Sequence, residues 1–232
     1  MNHLAARLAD VREKIARAAA RAGRDPSSIR LVAVSKTFDA AHVRAAATAG
    51  QADFGENKVQ EAQQKQHALA DLRVRWHLIG HLQSNKAAKA AALFDVIHSI
   101  DDASLIRKID AAAAQAGRYL ELLVQVDLAG EATKHGAREA SLPAIFDAAR
   151  SCTSVRISGL MTLPPATADP EGARPWFREL IRVRDRLRSA GIDANSLAEL
   201  SMGMSHDFEV AVEEGATILR VGTAIFGDRS YT

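Results

Sequence analysis

Short apolar runs rich in branched residues recur along this chain with helical stretches between them, and that alternation constrains the fold more than any other feature. The runs fall at 31–35, 52–54, 76–79, 96–99, 120–126, 155–159, 199–202 and 218–221. Between them lie Ala-rich, charged segments with helical spacing, such as VQEAQQKQHALA and PWFRELIRVRDRLRSAG. Eight such units in 232 residues predict an α/β fold, a single (β/α)8 barrel of the TIM type with an extra N-terminal helix. A doubly wound open sheet fits less well, because no G-x-G-x-x-G follows the first run and eight units suit closure better. With no linker, repeat or low-complexity tract, one domain is expected over 1–232: helix and turn to 28, barrel over 29–227, tail over 228–232.

The start, NHLAARLADVREKIARAAARAGR, is amphipathic and Arg-rich, as mitochondrial transit peptides are. Asp10 and Glu13 argue against that reading, and Leu4, Leu8, Val11 and Ile15 recur at the spacing of an ordinary amphipathic helix. Net charge is +2, aromatics are 5 % and no basic run appears, which excludes an obvious nucleic-acid surface. No apolar run is long enough to span a bilayer. The single cysteine, Cys152, rules out an internal disulfide and suits a reducing compartment, so a cytoplasmic location is expected.

Barrels of this type place their sites at the C-terminal ends of the strands. The residues that follow the runs are Lys36, Glu56 and Asn57, His81, Asp101, Asp127, Met161 and Thr162, Ser201 through Ser205, and Gly222 with Thr223. Reactive and polar side chains therefore collect at one rim. Alternation puts Val32, Val34 and Lys36 on one face of the first strand. If the valines point inward, so does the lysine, and desolvation would free its amine for a Schiff base with an aldehyde. A lysine that snorkels to the rim or pairs with a carboxylate is the alternative.

The stretch LSMGMSHDFEVAVEEGA brings Ser201, Gly203 and Ser205 between the seventh strand and a helical segment that Ser205 or Asp207 would cap. RVGTAIFG adds Gly222 and Thr223 after the eighth strand, and the loops after strands seven and eight commonly hold phosphate in such barrels. Arg220 alternates onto the face of Ile218 and Gly222, so it points inward and needs a partner. Asp127 would serve, as would an aromatic ring nitrogen. His77 and His81 mimic a metal motif, but on a strand they stand roughly 13 Å apart and Leu78 replaces the glutamate that a metalloprotease needs.

An amine, a phosphate cup and an interior arginine together describe a pocket for pyridoxal 5'-phosphate (PLP). The motifs AVSKT, FGENKVQE, WHLIGHLQSNK, IHSID, GLMT and LSMGMSHDFEVAVEEGATILRVGTAIFG closely resemble the pyridoxal-phosphate homeostasis protein family, over about 29–227. The resemblance implies the barrel of the alanine racemase N-terminal domain, with Lys36 as the Schiff-base lysine. It implies that Ser201, Ser205, Gly222 and Thr223 hold the phosphate and that Arg220 faces the pyridine nitrogen. Asn57, His77 and Met161 would line the ring pocket. Departures from the family pattern are Phe38 for a second lysine, Asp127 for Asn, and Lys134-His135-Gly136 for Lys-Ser-Gly.

A racemase of the alanine type sets a tyrosine opposite the lysine. The tyrosines here are Tyr119, at the start of the fifth strand, and Tyr231, in the tail. The implied role is therefore a non-catalytic, monomeric PLP carrier that buffers the cofactor and passes it to apo PLP enzymes. A PLP-dependent amino-acid racemase of low or narrow activity is the alternative, and an imine-forming sugar-phosphate aldolase a further rival.

Overall fold

The computed structural model describes residues 2–130 and 135–228; Lys134 and the last four residues, Tyr231 among them, lie outside them. Eight parallel strands close into a barrel in chain order: β1 (Arg30–Val34), β2 (Asp53–Glu56), β3 (Arg75–Leu78), β4 (Val96–Ile100), β5 (Leu120–Gln125), β6 (Val155–Met161), β7 (Glu199–Ser201) and β8 (Ile218–Val221). β1 completes the ring by pairing with both β2 and β8, through Val32↔Asp53 and Val32↔Arg220. Closure removes both sheet edges. The expected (β/α)8 barrel is the observed fold.

The helices are α1 (Asn2–Arg21), α2 (Ala40–Thr48), α3 (Val59–Ala68), α4 (Ala87–Leu93), α5 (Ala103–Gln115), α6 (Leu142–Ala149), α7 (Arg174–Ser189), α8 (Phe208–Glu213) and α9 (Thr223–Phe226). Their starts follow from local chemistry. Asp39 accepts the N–H of His42 at α2, and Asp102 accepts those of Ser104 and Leu105 at α5. The N-terminal helix buries Leu4, Leu8, Val11 and Ile15 against the barrel, as its apolar spacing requires. The Arg24 guanidinium then secures the connection beyond it by donating to the carbonyls of Val212 and Ala216, at 2.6 and 2.8 Å.

β2 runs two residues past its apolar stretch, through Gly55 and Glu56. Neither residue favours a strand, but parallel pairing to β1 and β3 on either side overrides that preference. β6 carries an irregularity: Leu122 pairs with Ile157 and Leu123 with Gly159, so Ser158 is an extra residue, a β-bulge.

Buried apolar residues form two separate clusters. The large one, with Ala33, Phe54, Leu78, Ile97, Leu122 and Leu160, lies between the outer face of the sheet and the helices. The small one, Val32, Val96, Leu123, Met161 and Ile218, fills the middle of the barrel. Val32 and Ala33 thus point to opposite faces, as alternation along β1 predicts. Among the described residues no helix is long and apolar enough to cross a membrane.

Candidate functional site

The C-terminal mouth of the barrel holds a cavity of ≈ 300 Å³. Lys36 enters it from the end of β1, Asn57 from the end of β2, Arg220 from β8, and Gly222 with Thr223 from the β8–α9 turn. Ser205 closes one side from the β7–α8 loop. Its hydroxyl oxygen accepts the N–H groups of Gly222 and Ala224, at 3.1 and 3.3 Å. With its oxygen occupied by these two amides, the Ser205 hydroxyl keeps its proton to donate, and with the Thr223 hydroxyl it makes a donor pair suited to phosphate oxygens. A methyl group at position 222 would come within 3.3 Å of the Val34 carbonyl, so glycine keeps that backbone close to β1.

Lys36 is half-buried, and the backbone on either side of it is clamped from behind. Lys65 of α3, only 5 % exposed, donates to the Ser35 carbonyl at 2.7 Å, to Glu56 Oε1 at 2.6 Å and to Glu61 Oε1 at 2.9 Å. The Ser35 hydroxyl donates to Glu56 Oε1, and the Thr37 N–H to Glu61. Burial pushes the Glu56 carboxyl above its ordinary range, despite the adjacent Lys65 ammonium. Thr37 itself has φ = 72°, a left-handed conformation that a β-branched residue resists. Thr37→Gly should therefore gain up to about 1 kcal/mol, the relieved strain exceeding the extra freedom of the unfolded chain. Urea denaturation would register the gain as a higher midpoint; an unchanged or lower midpoint would show that Glu61 already offsets the strain.

Arg220 is 3 % exposed and donates to Ser201 Oγ at 2.5 Å and to the Thr162 carbonyl at 2.8 Å. Burial pushes its guanidinium down to about 10, against the pull of the Asp207 carboxylate, which leaves a cation at neutral pH. Asp127 is not its partner. That carboxylate instead accepts the N–H groups of Ala129 and Gly130 in the loop after β5. Asp207 does not cap α8 with its side chain; it accepts the Met204 N–H and so shapes the β7–α8 loop.

Of the residues named from sequence, Lys36, Asn57, Ser205, Arg220, Gly222 and Thr223 meet at the cavity wall. Ser201, Met161 and His77 do not reach it. They point into the barrel but are fully buried below, Met161 in the interior apolar cluster and the other two in hydrogen bonds with His98. Alternation gives the face a residue occupies and not its depth along the barrel, so the sequence could not separate them. Val34, Ile79, Leu163, Met204 and His206 complete the wall; of those the sequence reading misses, Ile79 is the readable one, two residues beyond His77 on the same face.

His77 and His81 do not converge. His81 sits on the rim with Nδ1 3.6 Å from Asp101 Oδ2, and its ring stacks on that of His135 with centroids 3.6 Å apart and planes at 8°. His81, Asp101 and His135 each offer a ligand atom within 4.8 Å of the others, a partly exposed rim cluster that does not include His77.

The geometry has a counterpart among known proteins. The family described as alanine racemase, N-terminal domain, matches residues 6–230. A pyridoxal phosphate homeostasis protein of Aquifex aeolicus is 42 % identical over 225 residues, covering 97 % of this chain and 98 % of its own. One from Pseudomonas aeruginosa is 43 % identical over 232 residues, covering 100 % and 98 %. The solved structure of PipY from Synechococcus elongatus PCC7942, with PLP bound, superposes with a TM-score of 0.83 at 40 % identity, over 97 % of this chain and 100 % of PipY. With full-length matches at this identity, a closed barrel and a lysine-bearing cavity at its mouth, the chain belongs to the pyridoxal phosphate homeostasis proteins of the alanine racemase N-terminal domain family.

Proposed function

We propose that this protein is a non-catalytic PLP-binding protein that holds the cofactor as a Schiff base on Lys36 and serves intracellular PLP supply. The observation that carries the reading is the gathering, on one cavity, of a half-buried amine, a buried cation and two hydroxyl donors: Lys36, Arg220, Ser205 and Thr223. When bound, PLP supplies an aldehyde that condenses with a primary amine and is released by exchange with another. The residues fit such a group. Lys36 offers the amine, the β8–α9 turn and Ser205 offer donors to the phosphate, and Arg220 offers a fixed positive charge to the ring nitrogen. A cation there disfavours protonation of the ring and weakens it as an electron sink.

Binding without turnover is supported by the place of Tyr119, the one tyrosine among the described residues. Tyr119 is exposed and precedes β5, at the far end of the barrel from the cavity. It is out of reach as a second base. In this reading the whole chain is one binding unit, a cytoplasmic monomer from which apo PLP enzymes draw cofactor. The absorbance spectrum of the purified protein, followed by borohydride reduction and peptide mapping, tests the reading. A yellow band trapped on Lys36 and lost in Lys36→Ala is expected. Protein that stays colourless with excess PLP, or an adduct elsewhere, would overturn it. Saturable formation of D-amino acids by the holoprotein, absent from Lys36→Ala, would make it a racemase instead.

A further inference from the structure

Two histidines inside the barrel, His77 on β3 and His98 on β4, are fully buried beneath the cavity. A buried imidazole needs a partner at each nitrogen. Both have them. Asp53 Oδ1 lies 2.9 Å from His77 Nε2, His77 Nδ1 lies 2.9 Å from His98 Nε2, and His98 Nδ1 lies 2.9 Å from Ser201 Oγ. Arg220 closes the series on the same Ser201 oxygen, at 2.5 Å.

Counting donors gives the chain a single direction. Burial raises the Asp53 carboxyl, but the hydrogen bond from His77 and the charges of Arg30 and Arg75 outweigh it and hold the group below its usual range. Asp53 is therefore a carboxylate and only accepts, so His77 donates from Nε2. Burial lowers both imidazoles, and His77, Arg220, Arg30 and Arg75 press His98 well below its ordinary value. Each ring is neutral and carries one proton. With its proton on Nε2, His77 has a bare Nδ1, which must accept from His98 Nε2–H. His98 Nδ1 is then bare and accepts the Ser201 hydroxyl proton. Arg220 has no acceptor of its own, so the Ser201 oxygen accepts from it. Because each neutral ring carries one proton, reversing any link between Asp53 and Ser201 would leave two acceptors face to face, a bare ring nitrogen against the Asp53 carboxylate or against the other ring's bare nitrogen.

We propose that Asp53, His77, His98 and Ser201 form a one-way hydrogen-bond relay along the barrel interior that anchors Arg220 from below. His98, His77 and Asp53 are then positioning residues for the cation in the cavity. The relay starts at the first residue of β2, on the face opposite the mouth, where the Asp53 side chain is 19 % exposed. A change at that distant face is thereby felt at Arg220. Only the cofactor readout of the test rests on the PLP reading above; the relay itself does not need PLP.

The first experiment uses uniformly 15N-labelled protein without cofactor. Long-range 1H–15N correlations, assigned with His77→Gln and His98→Gln, are expected to show both rings as neutral Nε2–H tautomers across the neutral pH range. An Nδ1–H tautomer or an imidazolium at either ring would overturn the relay. The second experiment adds PLP to His98→Leu and Asp53→Ala, each first checked for native circular dichroism. Both should shift the cofactor absorbance maximum and weaken PLP binding about tenfold, the loss common when a supporting hydrogen-bond partner is removed. Unchanged spectra and affinity in both variants would refute the proposal. If wild-type protein fails to bind PLP while the tautomers are as stated, the cofactor reading falls and the relay stands.

Discussion

Replacing Lys65 with methionine should destabilise the protein by about 3–5 kcal/mol, the cost typical of leaving one member of a buried ion pair alone. Glu56 is fully buried; its Oε1 receives Lys65 and the Ser35 hydroxyl, and its Oε2 has no hydrogen-bond partner at all. The ammonium is what makes the carboxylate tolerable there. Without it, Glu56 keeps a single hydroxyl donor in an apolar setting. The dependence on pH has a definite sign. The folded-state value of Glu56 is already raised by burial, and losing Lys65 raises it further. The deficit of the variant should accordingly be greatest at neutral and alkaline pH and shrink as pH falls and Glu56 takes up a proton. Urea titrations at several pH values would show this, and Lys65→Met/Glu56→Gln should recover much of the loss at neutral pH. A pH-independent deficit, or no recovery in the double variant, would mean that Lys65 acts only by packing. Because Lys65 and Glu61 also hold the backbone of Ser35 and Thr37, the single variant should bind PLP more weakly even where it remains folded.

Gly159→Ala should be nearly as damaging, with a loss of at least ~3 kcal/mol or no soluble protein. A β-carbon at this position would stand 1.9 Å from the Glu199 carbonyl oxygen and 2.5 Å from its carbon. Both belong to the backbone of β7, which pairs with Gly159 itself. Neither can move without opening the barrel wall beside the β6 bulge. Gly55→Ala makes the comparison fair, since its nearest neighbour is Val32 Cγ1 at 3.0 Å, a side-chain end able to shift. It should cost only about 1 kcal/mol. Equal melting temperatures for the two variants would show that the clash at 159 is absorbed elsewhere.

The fold was readable because short apolar runs, most of them rich in branched residues, alternate with stretches of helical spacing. β2 was the weakest signal. Its second half, Gly55 and Glu56, has no strand character and is held by its neighbours and by Lys65. The site was readable as a rim, and alternation correctly turned Lys36 and Arg220 inward. Depth was not. Ser201 and His77 share their faces with rim residues yet lie a level lower, where they support Arg220 instead of lining the cavity. The clamp behind Lys36 left a faint trace, the four-residue spacing of Glu61 and Lys65 on α3. Nothing local tells such a pair from an ordinary solvated one; only the barrel wall that covers it does.

The two apolar clusters divide the labour of this fold. Cohesion comes mainly from the shell between sheet and helices, while the lumen holds only a small apolar cluster beside its histidines, arginine and serine. A mutation in the lumen therefore changes chemistry before it changes the fold, and one in the shell does the reverse. Lineages carrying this architecture could exchange ligands or acquire catalysis through lumen substitutions alone, with the container inherited unaltered.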